Sequence, residues 1–384
     1  MMNSKSTKAG IPMDIKSVGF SLGIEEEYQL IHPMTRELRP RAKRIMTETH
    51  PDRSEDIQHE LRLSQIETAS QICEGFEDVR SELVRLRTEI VDATEHVDAH
   101  LVAAGTHPFS HWEEQPFTPK KRYDKLADDF QQLAREQVIF GCHVHVGSED
   151  TEMSVEILNR SRRWLGCLLA LSASSPFWLG EDTGYASFRT NVWIRWPLAG
   201  PPLEFSSHGE YADTVKSLVS AEVIEDESKV YWDIRIPFRL PTVEFRIADV
   251  CTTIDEAVMI AGLIQALART AVGEAEANIP APNIRHEVIR TAHWHAARYG
   301  LSKTLVDPSS ARAIKAEEHI EQFLDYLRPA LEELGSWSEV SQLVHQTLAD
   351  GNSAMRQRAV FEKTHRLEDV VDYLVEETRR GTDR

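Results

Sequence analysis

The sequence predicts an α+β fold, one domain with a mainly antiparallel sheet and helices packed outside it. Three observations carry this. Stretches with period-two patterning alternate with stretches of helical spacing, yet irregular loops join them rather than regular crossover units. No repeat of fixed period is present. No low-complexity linker divides the 384 residues, a length that allows one large domain or two ordinary ones. The polar, aperiodic start reads as a flexible tail over 1–16, and 17–384 as the single domain.

In order along the chain, Gly19–Pro33 reads as a strand, with Phe20, Leu22, Ile24, Tyr28 and Leu30 on one face. From Asp78, taken as an N-cap, Val79, Leu83, Leu86, Ile90, Val91, Val97 and Leu101 recur at helical spacing. Thr106-His107-Pro108 ends that unit. Val138–Gly147 is strand-like, and a helix follows to about Leu171, through Ile157, Trp164, Leu165 and Leu168. Ser174–His208 is a long loop rich in aromatics, Gly and Pro, the kind of connection that carries function. Lys229–Pro237 and Thr242–Asp249 are strand-like, and Asp255 to about Ala277 is an apolar helix. Helical patterns return around Glu317–Leu334, Ser338–Ala349 and Leu367–Arg380.

Composition excludes several functions. Hydrophobic residues at 41% and charged residues at 27% describe a globular chain, not a disordered one. A formal net charge of −19 argues against a nucleic-acid partner, which needs clustered Lys and Arg. The apolar runs read as too short for a membrane span, and no secretory leader is evident. The four cysteines show no CxxC spacing, so they read as small buried hydrophobes in a reduced cytoplasm.

Four segments could carry chemistry. In GIEEEY, strand alternation puts Glu25 and Glu27 on one face and leaves Glu26 on the apolar face, where it needs a partner. Two carboxylates on one strand face repel unless a cation or a basic partner lies between them; hard oxygen donors suit Mg²⁺ or Mn²⁺, and a solvated acidic edge is the structural alternative. In HELRLSQIET, Glu60 and Glu67 fit either one helical face or the two arms of a short hairpin. In GCHVHVG, His143 and His145 share a face flanked by Gly141 and Gly147, which suits a ligand or a metal in mixed, oxygen-rich coordination rather than zinc. In YWDIRIPFRLPTVEFRIADV, Glu244 and Arg246 share a face, and Asp233 and Arg235 repeat the alternation. A guanidinium beside a metal-binding carboxylate is what phosphoryl transfer uses; a cross-strand salt bridge is the structural alternative. In the loop YASFRTNVWIRW, Arg189 and Arg195 could each clamp a carboxylate or stack on Trp193 or Trp196. No Walker, GxGxxG, GxSxG or HExxH motif is present, so any ATP binds without Walker machinery.

These segments, in this order, resemble the type 2 glutamate–cysteine ligase family, the carboxylate–amine ligases. The resemblance runs from SLGIEEEYQL through SQIET, GCHVHVG, GYASFRTNVWIRWP, YWDIR and PTVEFRIADVCTT to ARYGL and GNSAMRQRAVFE. It implies a funnel-shaped α+β fold like that of the glutamine synthetase superfamily, with ATP and Mg²⁺ (or Mn²⁺) at an antiparallel sheet. It makes Glu25, Glu27, Glu60, Glu67, His143 and Glu244 metal ligands. It gives Arg246 and His143 catalytic roles, and Arg189, His145 and Arg235 places at the substrates. The implied activity is cytoplasmic: a γ-glutamyl amide formed through an acyl phosphate from glutamate and an amine, with cysteine the leading acceptor. Small molecules are the implied partners, a homodimer is allowed by the apolar helices, and neither nucleic acid nor membrane is expected. The chain departs from the family at His293 and His295 around Trp294, and at Ala248, where a Cys is common; these leave the acceptor open. A superfamily phosphotransferase, a hydrolase using His143 and His145, and a non-catalytic glutamate or ATP sensor remain as alternatives.

Overall fold

The computed structural model describes residues 20–49 and 56–382, so the expected tail over 1–16 lies outside the described residues. The main sheet is seven-stranded and antiparallel throughout, in the order β2-β3-β1-β5-β9-β8. Its strands are β1 (Leu22–Ile31), β2 (Ile57–His59), β3 (Gln65–Ala69), β4 (His100–Val102) and β5 (Gly141–Gly147). After the small hairpin β6 (Phe177–Trp178) and β7 (Glu181–Asp182), β8 (Ile234–Arg235) and β9 (Thr242–Asp249) complete it. Gln29 faces both Gln65 of β3 and Val102 of β4, so β4 joins β1 on the edge opposite β3. A second hairpin, β10 (Thr304–Asp307) and β11 (Arg312–Lys315), stands apart from the sheet.

The helices are α1 (Ala42–Glu48), α2 (Phe76–His96), α3 (Lys121–Phe130), α4 (Gln132–Arg135), α5 (Thr151–Ser161), α6 (Leu165–Ser172) and α7 (Phe188–Trp193). The C-terminal half adds α8 (His208–Ser220), α9 (Ile254–Glu276), α10 (His286–Tyr299), α11 (Ala316–Glu333), α12 (Trp337–Asp350), α13 (Ser353–Thr364) and α14 (Leu367–Arg379). One sheet face, carrying Leu22, Ile24, Cys142, Val144, Val146, Val243, Phe245 and Ile247, packs with α2, α5, α6 and α9 in the larger core. A second core joins Tyr28, Leu30 and Ile31 to α2 and α14. With that face sealed, the alternate residues of β1, β5 and β9 are left for the opposite face.

Several elements differ from expectation, each for a local reason. Asp78 is not the N-cap of α2; its carboxylate reaches back to the Gly75 N–H from inside the first turn. The helical pattern stops at His96, and Leu101 belongs to β4. The helix expected to run to Leu171 breaks over 162–164, where the Trp164 ring stacks on Phe323 of α11. Of Lys229–Pro237 only Ile234–Arg235 joins the sheet, because Asp226 caps a 3₁₀ turn over Glu227–Lys229. α9 is long and apolar enough to cross a membrane by length and composition, contrary to the reading of the apolar runs. It is instead a largely buried helix of the larger core, started by a Thr253–Glu256 capping box. All four cysteines are unpaired and buried, as expected.

Glu26 has the partner it needs. Its carboxylate receives Arg87 Nε at 3.1 Å and the Tyr28 hydroxyl, while Arg87 also donates to the carbonyls of Cys251 and Thr252. This buried knot ties β1 to α2 and to the end of β9, and so fixes the strand that displays Glu25 and Glu27. Arg87→Met leaves the Glu26 carboxylate buried without its cation and is expected to cost about 3–5 kcal/mol; urea unfolding measures it.

His107 pins the chain after β4. Its Nδ1 accepts the N–H groups of Phe109 and Ser110, and its Nε2 donates to the Arg36 carbonyl at 2.8 Å. Burial pushes its pKa down to about 4. The unfolded chain takes up this proton near pH 6.5, so the unfolded state binds more protons between pH 6.5 and 4. Stability from this site is therefore full above 6.5 and falls by up to about 3 kcal/mol as pH drops to 4. His107→Asn should flatten that part of a denaturation-versus-pH curve.

Candidate active site

Strand register assembles the site. Across β1 and β3, Glu27 faces Glu67; across β1 and β5, Glu25 faces His143. His145 faces Gly23 on one side and Glu244 on the other, and Glu244 faces Arg235 of β8. The pairing of β5 with β9 shifts register between Cys142 and Val144, a bulge beside His143. Glu67 lies on β3 and Glu60 one residue past the end of β2, so the pair belongs to the β2–β3 hairpin, the second of the two geometries the spacing allowed.

The side chains converge. Ligand atoms of Glu25, His143 and Glu244 lie within 4.8 Å of one another, as do those of Glu27, Glu67 and His143. His143 therefore belongs to both groups. Its Nδ1 is 3.1 Å from Glu25 Oε2, and His145 Nε2 is 3.5 Å from Glu25 Oε1. His145 Nδ1 is 3.1 Å from the Thr242 hydroxyl, which orients the ring. Glu244 is clamped between two arginines, Arg235 at 2.6 Å and Arg246. Glu60 accepts the Tyr123 hydroxyl at 3.1 Å.

A cavity of about 310 Å³ opens over this face, and Glu27, Glu60, His143, Arg189 and Arg246 line it. Arg189, on α7, passes over Gly141, where any Cβ would meet its guanidinium. It leans on the buried Asp249 at 3.8 Å, and its Nη groups reach the carbonyls of Ile247 and Arg246 at 3.5 and 3.4 Å. Asp249 is itself held by Ser174, Ser175 and Ser187. Arg195 is elsewhere, paired with Glu136. Of the other alternation, Asp233 turns away from the site to His293, 3.0 Å away.

Glu25, Glu27, Glu60, Glu67, His143, His145, Arg189, Arg235, Glu244 and Arg246 thus come together on or beside one face, whereas Arg195 and Asp233 do not. Reading the sequence missed α3, which brings Arg122 and Tyr123 to the cavity, and it missed Tyr231 as part of the wall. The amphipathic run KRYDKLADDF was the available signal for α3.

Charge balance describes what the site can hold. Burial, with Glu60 beside it, raises Glu27 to about 7. Burial also raises Glu60, and Glu67 rises well above its usual range through burial and the charges of Glu60, Glu25 and Glu27. Burial would raise Glu25 and Glu244 as well, but hydrogen bonds from His143 and His145 hold the first low, and Arg246 and Arg235 hold the second low. Burial and Arg246 push His143 down to about 4, which keeps its imidazole neutral and free to ligate. Carboxylates gathered this closely, several of them undercompensated, fit a hard divalent cation. Oxygen donors with one shared imidazole and no thiolate match Mg²⁺ or Mn²⁺ rather than structural zinc.

Comparison with known proteins places the chain in a family. Residues 21–376 match the model of glutamate-cysteine ligase family 2. A relative from Rhodopirellula baltica, named "Putative glutamate--cysteine ligase 2", is 43% identical over 93% of this chain and 96% of its own. One of the same name from Roseiflexus castenholzii is 39% identical over 94% and 95%. Among solved structures, a glutamate–cysteine ligase of Francisella tularensis in complex with AMP superposes with a TM-score of 0.73 at 12% identity, over 96% of this chain and 90% of that one. A bifunctional glutathione synthetase of Pasteurella multocida gives 0.70 at 15% identity, over 94% and 52%. Those two share the fold. The match over most of the length, with relatives near 40% identity, decides the rest: the chain belongs to glutamate–cysteine ligase family 2 and is a carboxylate–amine ligase.

Proposed function

We propose that this ligase uses ATP, with Mg²⁺, to activate the γ-carboxylate of glutamate as an acyl phosphate and passes the acyl group to an amine. The observation that carries the reading is the pair of acidic groups meeting at His143 beneath two arginines. Glu25, Glu244 and His143 would hold one cation, and Glu27, Glu67 and His143, with Glu60 beside them, another. Bound there, Mg²⁺ supplies charge neutralisation along the ATP phosphates. Arg246, anchored by Glu244, faces the transferring phosphoryl group and stabilises its charge. Arg189 takes the α-carboxylate of glutamate. A γ-carboxylate oxygen attacks the γ-phosphorus and ADP leaves. The amine nitrogen then attacks the acyl carbon, loses a proton, and phosphate leaves with that carboxylate oxygen.

Phosphates at Glu244 and Arg235 leave the base a place nearby. Thr242, which orients His145, also borders an apolar slot of about 410 Å³ with Tyr211, Ile236, Phe238 and Leu240. Such a slot suits a purine ring. The relatives' name gives cysteine as the reference acceptor. Buried, unpaired cysteines fit a reducing cytoplasm.

ADP release from ATP, glutamate and Mg²⁺, run against an amine panel that includes cysteine, tests this, with products identified by mass. Amine-dependent release with a γ-glutamyl amide supports the reading. Release without amide, indifferent to the amine, favours a phosphotransferase; silence across the panel favours a sensor.

A further inference from the structure

The outer half of the cavity is built differently from its acidic floor. Trp193, Trp196 and Tyr231 line it, and their ring centroids lie 5.3–6.0 Å apart, an interlocked aromatic wall. Four contacts hold the wall in place. Trp196 is buried, donates its indole N–H to Gln137 at 2.9 Å and packs on Phe130 at 4.5 Å. Trp193 presses on Tyr231 at 5.3 Å, and its ring lies 5.9 Å from the Arg246 guanidinium. The Trp193 indole N–H is buried with no hydrogen-bond partner, an orphan donor in a wall otherwise well satisfied. Leu61, Leu126 and Ile139 continue the apolar lining.

Besides Arg189 and Arg246, two further cations line the same cavity. The Arg122 side chain is 59% exposed, lies over the Tyr123 ring at 4.4 Å and is 3.9 Å from Glu60. Lys229, half-buried, makes no ion pair among the described residues. An amine bound between this wall and the acyl carbon has its side chain against indole faces, with two cations within reach for a carboxylate.

We infer that the acceptor is an α-amino acid with a large flat side chain, which stacks on Trp193 and Tyr231 while Arg122 and Lys229 receive its carboxylate. The inference rests on the ligase reading and narrows its second substrate. Cysteine fills little of such a wall: its side chain is one small thiol, and an uncovered aromatic surface contributes nothing to discrimination. Aromatic stacking adds to burial of the same area, so a flat side chain gains about tenfold in kcat/KM over alanine. The aromatic pair and the cations act on different parts of the acceptor, which makes the two contributions separable.

The test is the kcat/KM of ADP release, at saturating glutamate and ATP, for tryptophan, tyrosine, phenylalanine, cysteine, alanine and the carboxylate-free amine tyramine. The expected order puts the aromatic amino acids about tenfold above alanine and cysteine. Trp193→Leu should shrink the tryptophan-to-alanine ratio to about threefold or less, with Trp193→Phe restoring most of it. Arg122→Glu should weaken tyrosine far more than tyramine, since only the former carries the carboxylate. Cysteine equal to or better than the aromatic acids overturns the inference and leaves the ligase reading standing, as does a Trp193→Leu protein whose ratio is unchanged. Absence of glutamate-dependent ADP release with every amine overturns both together.

Discussion

Arg246→Ala is expected to lower kcat by about 10³-fold while moving the melting temperature by no more than a few degrees. The two effects separate because of the way Glu244 is held. Its carboxylate has guanidinium groups on both sides, Arg235 at 2.6 Å and Arg246. Removing Arg246 leaves Glu244 still paired with Arg235, so that buried ion pair is not broken, while Glu27, Glu60 and Glu67 lose a neighbouring cation and rise further. What disappears is the cation that lines the cavity beside Glu27 and His143, where a transferring phosphoryl group develops charge. Glu244→Gln differs: it strands two guanidinium groups, so both stability and turnover should fall. Steady-state rates and melting curves on the two proteins check the contrast. An Arg246→Ala enzyme with full turnover would remove the basis of the proposed mechanism.

Gly141→Ala should raise the KM for glutamate by about 10- to 100-fold with a smaller effect on kcat. The added methyl group would land on the Arg189 guanidinium, 3.0 Å from its Cζ. The obstacle is the far end of a long side chain, so the backbone can stay and the guanidinium must leave. The Gly141 N–H keeps its bond to Glu27, 2.7 Å away, and the floor of the site is undisturbed. Arg189→Ala removes the same group directly, so the double variant should be little worse than either single one. Full additivity would show that Gly141 and Arg189 act separately.

The sequence made some of this site readable and hid the rest. Period two along β1 placed Glu25 and Glu27 together and turned Glu26 inward, since alternation is a property of a single strand. Which strand lies beside which is not local, so the facing of Glu27 with Glu67 and of Glu25 with His143 came only with the fold. Spacing alone left Glu60 and Glu67 between a helix and a hairpin; the β2–β3 pairing decides for the hairpin. The bulge that adjusts β5 against β9 at His143 has no glycine or proline to announce it. α3 escaped notice because its residues are mostly charged and only Tyr123 is buried, although Tyr123, Leu126, Ala127 and Phe130 recur at helical spacing. Tyr231 was read only as part of a strand; its role in the aromatic wall depends on α7 folding back across β9, a contact set by tertiary packing. The resemblance to the ligase family supplied roles that register and spacing could not.

The central claim is that a glutamate oxygen ends up on phosphate. It is tested most directly with glutamate labelled by ¹⁸O in both γ-carboxylate oxygens, ATP, Mg²⁺ and a turning-over amine, with the phosphate analysed by mass. Activation through an acyl phosphate predicts one ¹⁸O in the phosphate for each amide formed, and the other retained in the amide carbonyl. Unlabelled phosphate alongside amide formation would contradict the account.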